Sequence, residues 1–273
     1  MFEYDELKIY RGRDVQITPK IIVKQPTLDE IEEFGERRYF NSVYTLVSVG
    51  ADLKWQLWDK GIDYTQIDDY ELFLKYIFRA VSSRKKVYHE IISNREKYEN
   101  ELSEIPEEAL EEMCINPLQL TLNIDLADFN LFDSPKHGGV ILYDKNNDIT
   151  IDRAVYAQIV DSVRKIHGFK RNNQMPANER TKMDLIEDAR DEAMAAANKP
   201  YKSTLKPLIS ALTVQCGLCG DDKIWSMHIG TFFDNIKRVN KIQDAKMLLQ
   251  GAYSGFASLK DIDRTRLDWA GDI

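Results

Sequence analysis

Cys216 and Cys219, in the stretch TVQCGLCGDD, have the Cys-x-x-Cys spacing of a metal knuckle or a redox pair. A structural zinc site takes four ligands, commonly from two such pairs. The third cysteine, Cys114, is far up the chain, and His228 is the only further nitrogen ligand close by. A thioredoxin-type pair would follow a strand in a βαβ setting. Here Leu205, Leu208, Ile209 and Leu212 have helical spacing and run straight into Cys216. The expectation is a helix end, with Gly217 and Gly220 in the turn that follows and the thiols free, as in a reducing compartment.

Three other stretches carry chemical residue types. Asp144, Asn146 and Asp148 resemble the start of a calcium loop, but Ile149 stands where glycine is needed and Val155 where a bidentate Glu is needed. A polar hairpin turn is the better reading. The basic run Arg164–Arg171 suits the last turn of a helix, whose dipole favours cations. His137 precedes Gly138–Gly139, but no Lys-Ser or Lys-Thr follows, so there is no P-loop. No nucleophile elbow, zincin or kinase motif is present. The expectation is a protein that is not an enzyme, with no catalytic, cofactor-binding or metal-binding residue. An enzyme site that assembles only in the fold would bring His137, His167 or carboxylates together in a polar pocket.

Several elements must position whatever the chain does. Residues 7–25 are rich in β-formers and predict one or two short strands. Thr27 and Glu30 form a capping box behind Pro26 and open a helix carrying Leu28, Ile31, Phe34, Tyr39, Val43 and Leu46. A short helix over Ala51–Asp59 stops at Gly61. A long helix from Asp68 carries Leu72, Tyr76, Val81 and Val87, and Pro106 stops it. Residues 118–152 change character: LQLTLNIDL alternates like a half-buried strand, and GGVILYDKNNDITID reads as two strands around an Asn-Asn turn. Asp152 then caps a helix closed by Gly168, and the chain is helical to its end. The expected fold is mainly α, with a small antiparallel β element at about residues 118–152 and short N-terminal strands. The division is either 1–116 and 117–273 or a single compact domain.

Composition narrows the partners. The 273 residues are 43% hydrophobic, enough for a sizeable core, and the net charge is −8. No concentrated basic face favours nucleic acid. No apolar run approaches the roughly 20 residues of a membrane span. The start, MFEYDELKIY, has no apolar h-region of a secretory signal. What stands out is aromatic placement. Trp55, Trp58, Tyr64, Tyr70 and Phe73 are closely spaced, and Tyr253, Phe256 and Trp269 punctuate a glycine-containing C-terminal stretch. Either these rings are core and a docked tail, or some form an exposed patch for a partner. For the second case the contact residues are Trp55, Trp58, Tyr64, Tyr253, Phe256 and Trp269.

The stretches ITPKIIVKQPTLDEIEEFGERRYF, ADLKWQLWDKGIDYTQIDDYELF, IDRAVYAQIVDSVRKIHG and GAYSGF…IDRTRLDWAGDI together resemble a family of tailed-phage proteins from phages and prophages of Gram-positive hosts. Its members are encoded among the tail genes near the tape measure protein and are commonly labelled tail assembly chaperones. The resemblance implies a helical, self-associating protein of the host cytoplasm. Such a protein coats the apolar helices of the tape measure protein and helps recruit the tail tube protein. It carries over no catalytic residue and assigns no role to the β element. The alternative is a structural component of the tail or baseplate that stays in the virion.

Overall fold

The capping box forms as its residue types dictate. The Glu30 amide donates to Thr27 Oγ1 at 3.2 Å, and the Thr27 amide donates to Glu30 Oε2 at 2.7 Å. In the computed structural model, which describes residues 5–93, 112, 114–197, 199–217, 222–256 and 262–271, this box opens α2, Leu28–Phe34. The single long helix expected here is broken at Gly35, whose φ of +95° suits no residue with a side chain, and α3 follows over Glu36–Val47. Upstream, Glu6–Tyr10 is helix α1 rather than strand. The Asp5 side chain caps its first turn, a local signal that outweighs the β-forming composition. Strands β1, Val15–Thr18, and β2, Ile21–Val23, then pair antiparallel.

Helix α4, Lys54–Trp58, is followed by α5, Asp69–Leu72, capped by Asp68. A π turn over Phe73–Ile77 leads into α6, Phe78–Ser93. The π turn inserts a residue into the helical stripe. Phe78 therefore joins Tyr70, Phe73 and Ile77 inside, while the predicted stripe position Val87 is exposed. Residues 94–111 of the predicted helical region lie outside the described residues.

The predicted strand over 118–126 does not form. Leu122 and Thr121 both donate backbone bonds to the Leu118 carbonyl at 2.8 Å, which curls the chain into a turn. Asn123 takes over a strand's role with its side chain, accepting from the Ile22 amide at 2.7 Å and donating to the Lys20 carbonyl at 3.0 Å. The alternation in the sequence therefore records burial of Leu118, Leu122, Ile124 and Leu126, and pairing is limited to one antiparallel bridge, Leu122 with Val23, flanked by the Lys24 amide donating to the Thr121 carbonyl at 2.8 Å and the Asn123 amide to the Ile22 carbonyl at 3.2 Å. The antiparallel β element is a meander of β3, Asn130–Ser134, β4, Gly139–Asp144, and β5, Ile149–Ile151. The predicted hairpin is its β4–β5 half.

Asp152 accepts the Val155 amide and caps α7, Arg153–His167, which Gly168 closes at φ +66°. Helices α8, Glu179–Ala197, α9, Leu205–Gln215, α10, Ile229–Tyr253, and α11, Arg264–Leu267, complete the mainly α fold. The main core packs Tyr39, Val43 and Leu46 of α3 and Tyr156, Ile159 and Val163 of α7 with Ile21, Val23, Ile229 and Phe232. It draws on both halves of the chain. A smaller core holds Leu57, Tyr64, Leu72 and Ile186 between α4, α5 and α8. Among the described residues no helix is long and apolar enough to cross a membrane.

Candidate partner-binding surface

The motifs that could do chemistry are tied into the fold. Cys216 is exposed at the end of α9, where the sequence places a helix end, and Cys219 lies outside the described residues. Among the described residues no group of three or more His, Cys, Asp or Glu side chains could hold a metal ion. In the β4–β5 turn, Asp144 Oδ1 accepts the amides of Asn146 and Asn147 at 2.9 and 3.3 Å, and Oδ2 accepts Asn147 Nδ2 at 2.6 Å. Burial raises the Asp144 pKa, but these bonds outweigh it and hold the carboxyl below its usual range. Lys20 Nζ donates to the carbonyls of Asn147 and Asp148 at 2.8 Å, so those oxygens also have partners.

The basic run fastens α7. Arg164 donates to the Val47 carbonyl at 2.6 Å, Lys165 pairs with Glu6 at 2.9 Å, and Arg171 grips Asp69 through two bonds of 3.0 and 3.1 Å. The two candidate histidines do not converge. His137 Nδ1 meets Asp152 Oδ2 at 3.0 Å on the surface. His167 is buried, with Nδ1 2.7 Å from the Val163 carbonyl and Nε2 2.7 Å from the Tyr39 hydroxyl. A carbonyl can only accept, so Nδ1 carries the proton and Nε2 accepts from Tyr39. Burial lowers the His167 pKa to about 4 and raises that of Tyr39, so both are neutral at pH 7.

The two aromatic groups differ. Around α4 and α5 most rings are inside. Tyr64 is 4% exposed, and its hydroxyl has no hydrogen-bond partner among the described residues. Tyr70 is buried and donates to the carbonyls of Val140 and Ile151 at 3.2 and 3.0 Å, and burial pushes its pKa up to about 12. Phe73 stacks on Tyr156 with centroids 4.4 Å apart. Trp55 packs half-buried against the smaller core. Trp58 is at its rim, with the Lys182 ammonium 5.9 Å from the ring centroid. Lys182 is itself buried against Asp63 at 2.7 Å, a bond that raises its pKa in spite of desolvation. Of the three rings proposed here as contacts, only Trp58 offers substantial surface.

At the other end the rings face out. Tyr253 is 83% exposed, Phe256 92% and Trp269 57%. The backbone around Trp269 is nevertheless tied down. Arg238 of α10 donates to the carbonyls of Trp269 and Gly271 at 2.6 and 2.8 Å, and Arg266 makes two bonds to Asp244 at 2.7 and 3.1 Å. Met247 on α10 and Val214 at the end of α9 are also exposed. Sequence reasoning missed both. Met247 is one apolar residue in a helix whose hydrophobic positions form no single stripe, so spacing gave no sign of which would be left uncovered. No family model matches the chain, and comparison with curated proteins and with solved structures finds no match to it.

Proposed function

We propose that this chain is a non-enzymatic phage tail assembly factor. In this reading it works as a homo-oligomer in the host cytoplasm, binds the tape measure protein, and keeps that helix-rich chain soluble while tail tube subunits are added. The observation that carries the reading is the set of outward-facing apolar side chains Met247, Tyr253, Phe256 and Trp269 along α10 and the segment fastened to it. Exposed rings on an anchored backbone suit helix-in-groove recognition, because the anchors are presented without ordering a free chain. The acidic balance of the chain favours solubility of the complex. The sequence resemblance to phage tail assembly chaperones points the same way.

The test is co-expression of the tape measure protein with wild type, Tyr253→Ala, Phe256→Ala or Trp269→Ala, measuring soluble tape measure protein and complex size. Truncating a central anchor is expected to weaken the complex by about 2 kcal/mol or more. If wild type leaves the tape measure protein insoluble, the reading fails. Abundant recovery of this chain from purified particles by mass spectrometry would instead make it a structural virion component.

A further inference from the structure

Strand β3 is the outer strand of the meander, and all but its last residue is exposed. Among the described residues no backbone group pairs with its free edge. Natural sheet edges are protected from strand pairing by charged side chains, lysine above all, and by proline, bulges or covering elements. β3 has an unbroken register with β4, no proline, no lysine and no bulge, and both Leu131 and Phe132 are exposed. Its one charge is Asp133, so pairing at this edge turns on what that carboxylate meets.

The two faces beside that edge differ. Leu131 and Asp133 share one face with their β4 partners Leu142 and Val140. On that face Leu131, Val140 and Leu74 line a cavity of about 440 Å³. Its rim carries Lys75, Arg79 and Arg153. Lys75 pairs with Glu71 and Arg153 with Asp68, whereas Arg79 has no ion-pair partner among the described residues. Phe132 is on the opposite face, edge-on to Tyr143 with centroids 5.7 Å apart.

We infer that β3 pairs with β3 of a second copy of this chain, antiparallel about a two-fold axis through Phe132. In a two-fold pair the same surface meets itself, so its residues must complement one another across the axis. Centring on Phe132 does this on both faces. The two Phe132 rings become a cross-strand aromatic pair, and each Asp133 falls opposite the other copy's Leu131. That position is at the cavity whose rim holds Arg79. Register shifts that put Asp133 opposite Asp133 set like charges together. The result is a continuous six-stranded sheet across the dimer. Two five-residue strands bury less than the roughly 1,200–2,000 Å² of a standard interface, so the association is weak and depends on concentration. This inference rests on the self-association in the functional reading above and is independent of tape measure binding.

The full chain alone is tested by sedimentation over roughly micromolar to several hundred micromolar concentrations, the range of weak interfaces. Wild type is expected to dimerise, and Asp133→Lys and Arg79→Asp each to weaken association by about tenfold or more. Combining the two is expected to restore it, because the charge pair is reformed with its sign reversed; a structural lesion would not be rescued this way. With the native cysteines replaced by serine, Phe132→Cys is expected to cross-link to itself on mild oxidation, and Leu131→Cys only when mixed with Asp133→Cys. A monomer throughout the range overturns the inference together with self-association. Dimers indifferent to both charge changes and to the Phe132→Cys cross-link overturn the β3 register but leave self-association standing.

Discussion

Tyr64 and Phe73 near α5 and Tyr253 and Phe256 at the end of α10 are the same residue types with opposite fates. The first pair is buried because α8 lays Ile186 and Met183 over one side of α4 and α5 while α7 brings Tyr156 against the other. The second pair lies where α10 runs out of cover, and the later helix α11 leaves both rings exposed. α10 is buried where it meets α1, α7 and α9, at Ile229 and Phe232, and loses cover towards Met247 and Tyr253. Aromatic density therefore does not separate core from contact surface. What separates them is whether a later element returns to the same place. At α5 one does; beyond Tyr253 the described chain returns through α11, which packs on α10 and is tied to it by Arg238 and Arg266, and this fixes the segment without covering the rings of Tyr253 and Phe256.

That contrast can be broken by experiment. The largest effect is expected from Phe73→Ala, which removes a fully buried ring stacked on Tyr156 and should cost about 3–5 kcal/mol in chemical denaturation. A cost near zero would mean that the α5 group is not core. Next is the buried Tyr39–His167 pair. His167 titrates at about 4 in the fold and near 6.5 when unfolded, so between those values the unfolded chain binds a proton that the folded chain does not. Its contribution is complete above pH 6.5 and is lost as pH falls towards 4, on the order of 3 kcal/mol in total. The double variant Tyr39→Phe/His167→Leu, which leaves neither partner polar, should show a correspondingly shallower decline of stability over that window. Tyr64→Phe sharpens the comparison further. The lost hydroxyl has no partner among the described residues, so stability should stay level or rise by up to about 1 kcal/mol, read as a small upward shift in Tm. The smallest effect belongs to Phe256→Ala, expected within about 0.5 kcal/mol of wild type in stability. A large loss there would show that the ring is covered in solution, by a second copy or by the fold.

Local chemistry was legible in the sequence, and tertiary return was not. The Thr27–Glu30 box, the Asp152 cap and the Gly168 stop need only residues within a few positions, and all are where spacing puts them. The β4–β5 turn was legible because Asp144 is bonded by its own neighbours. The break at Gly35 was hidden because the apolar spacing continues across it. The turn over 118–126 was hidden because Asn123, a poor strand former, adds side-chain bonds to a single backbone bridge with β2 where a full ladder was expected. Of the six rings considered as contacts, Tyr64 turned inward because α8, far along the chain, covers it. No window around Tyr64 contains that information.

The capping box at Thr27 has one further consequence, for how the chain is made. Its helix start is docked on a segment synthesised much later: the Leu28 amide donates to the Met227 carbonyl at 3.0 Å, Asp29 to Trp225 at 3.1 Å, and Ile229 back to Pro26 at 2.9 Å. His228 donates to the Gln25 carbonyl at 2.6 Å across 203 residues of sequence. At about 5–20 residues per second, roughly 10–40 s separate the emergence of the two sides from the ribosome. Throughout that interval Ile21, Val23 and Leu28 lack Ile229 and Phe232, which close their side of the core. The nascent chain must therefore carry an unfinished apolar face for most of its synthesis, and completion of the fold waits for translation to pass Phe232.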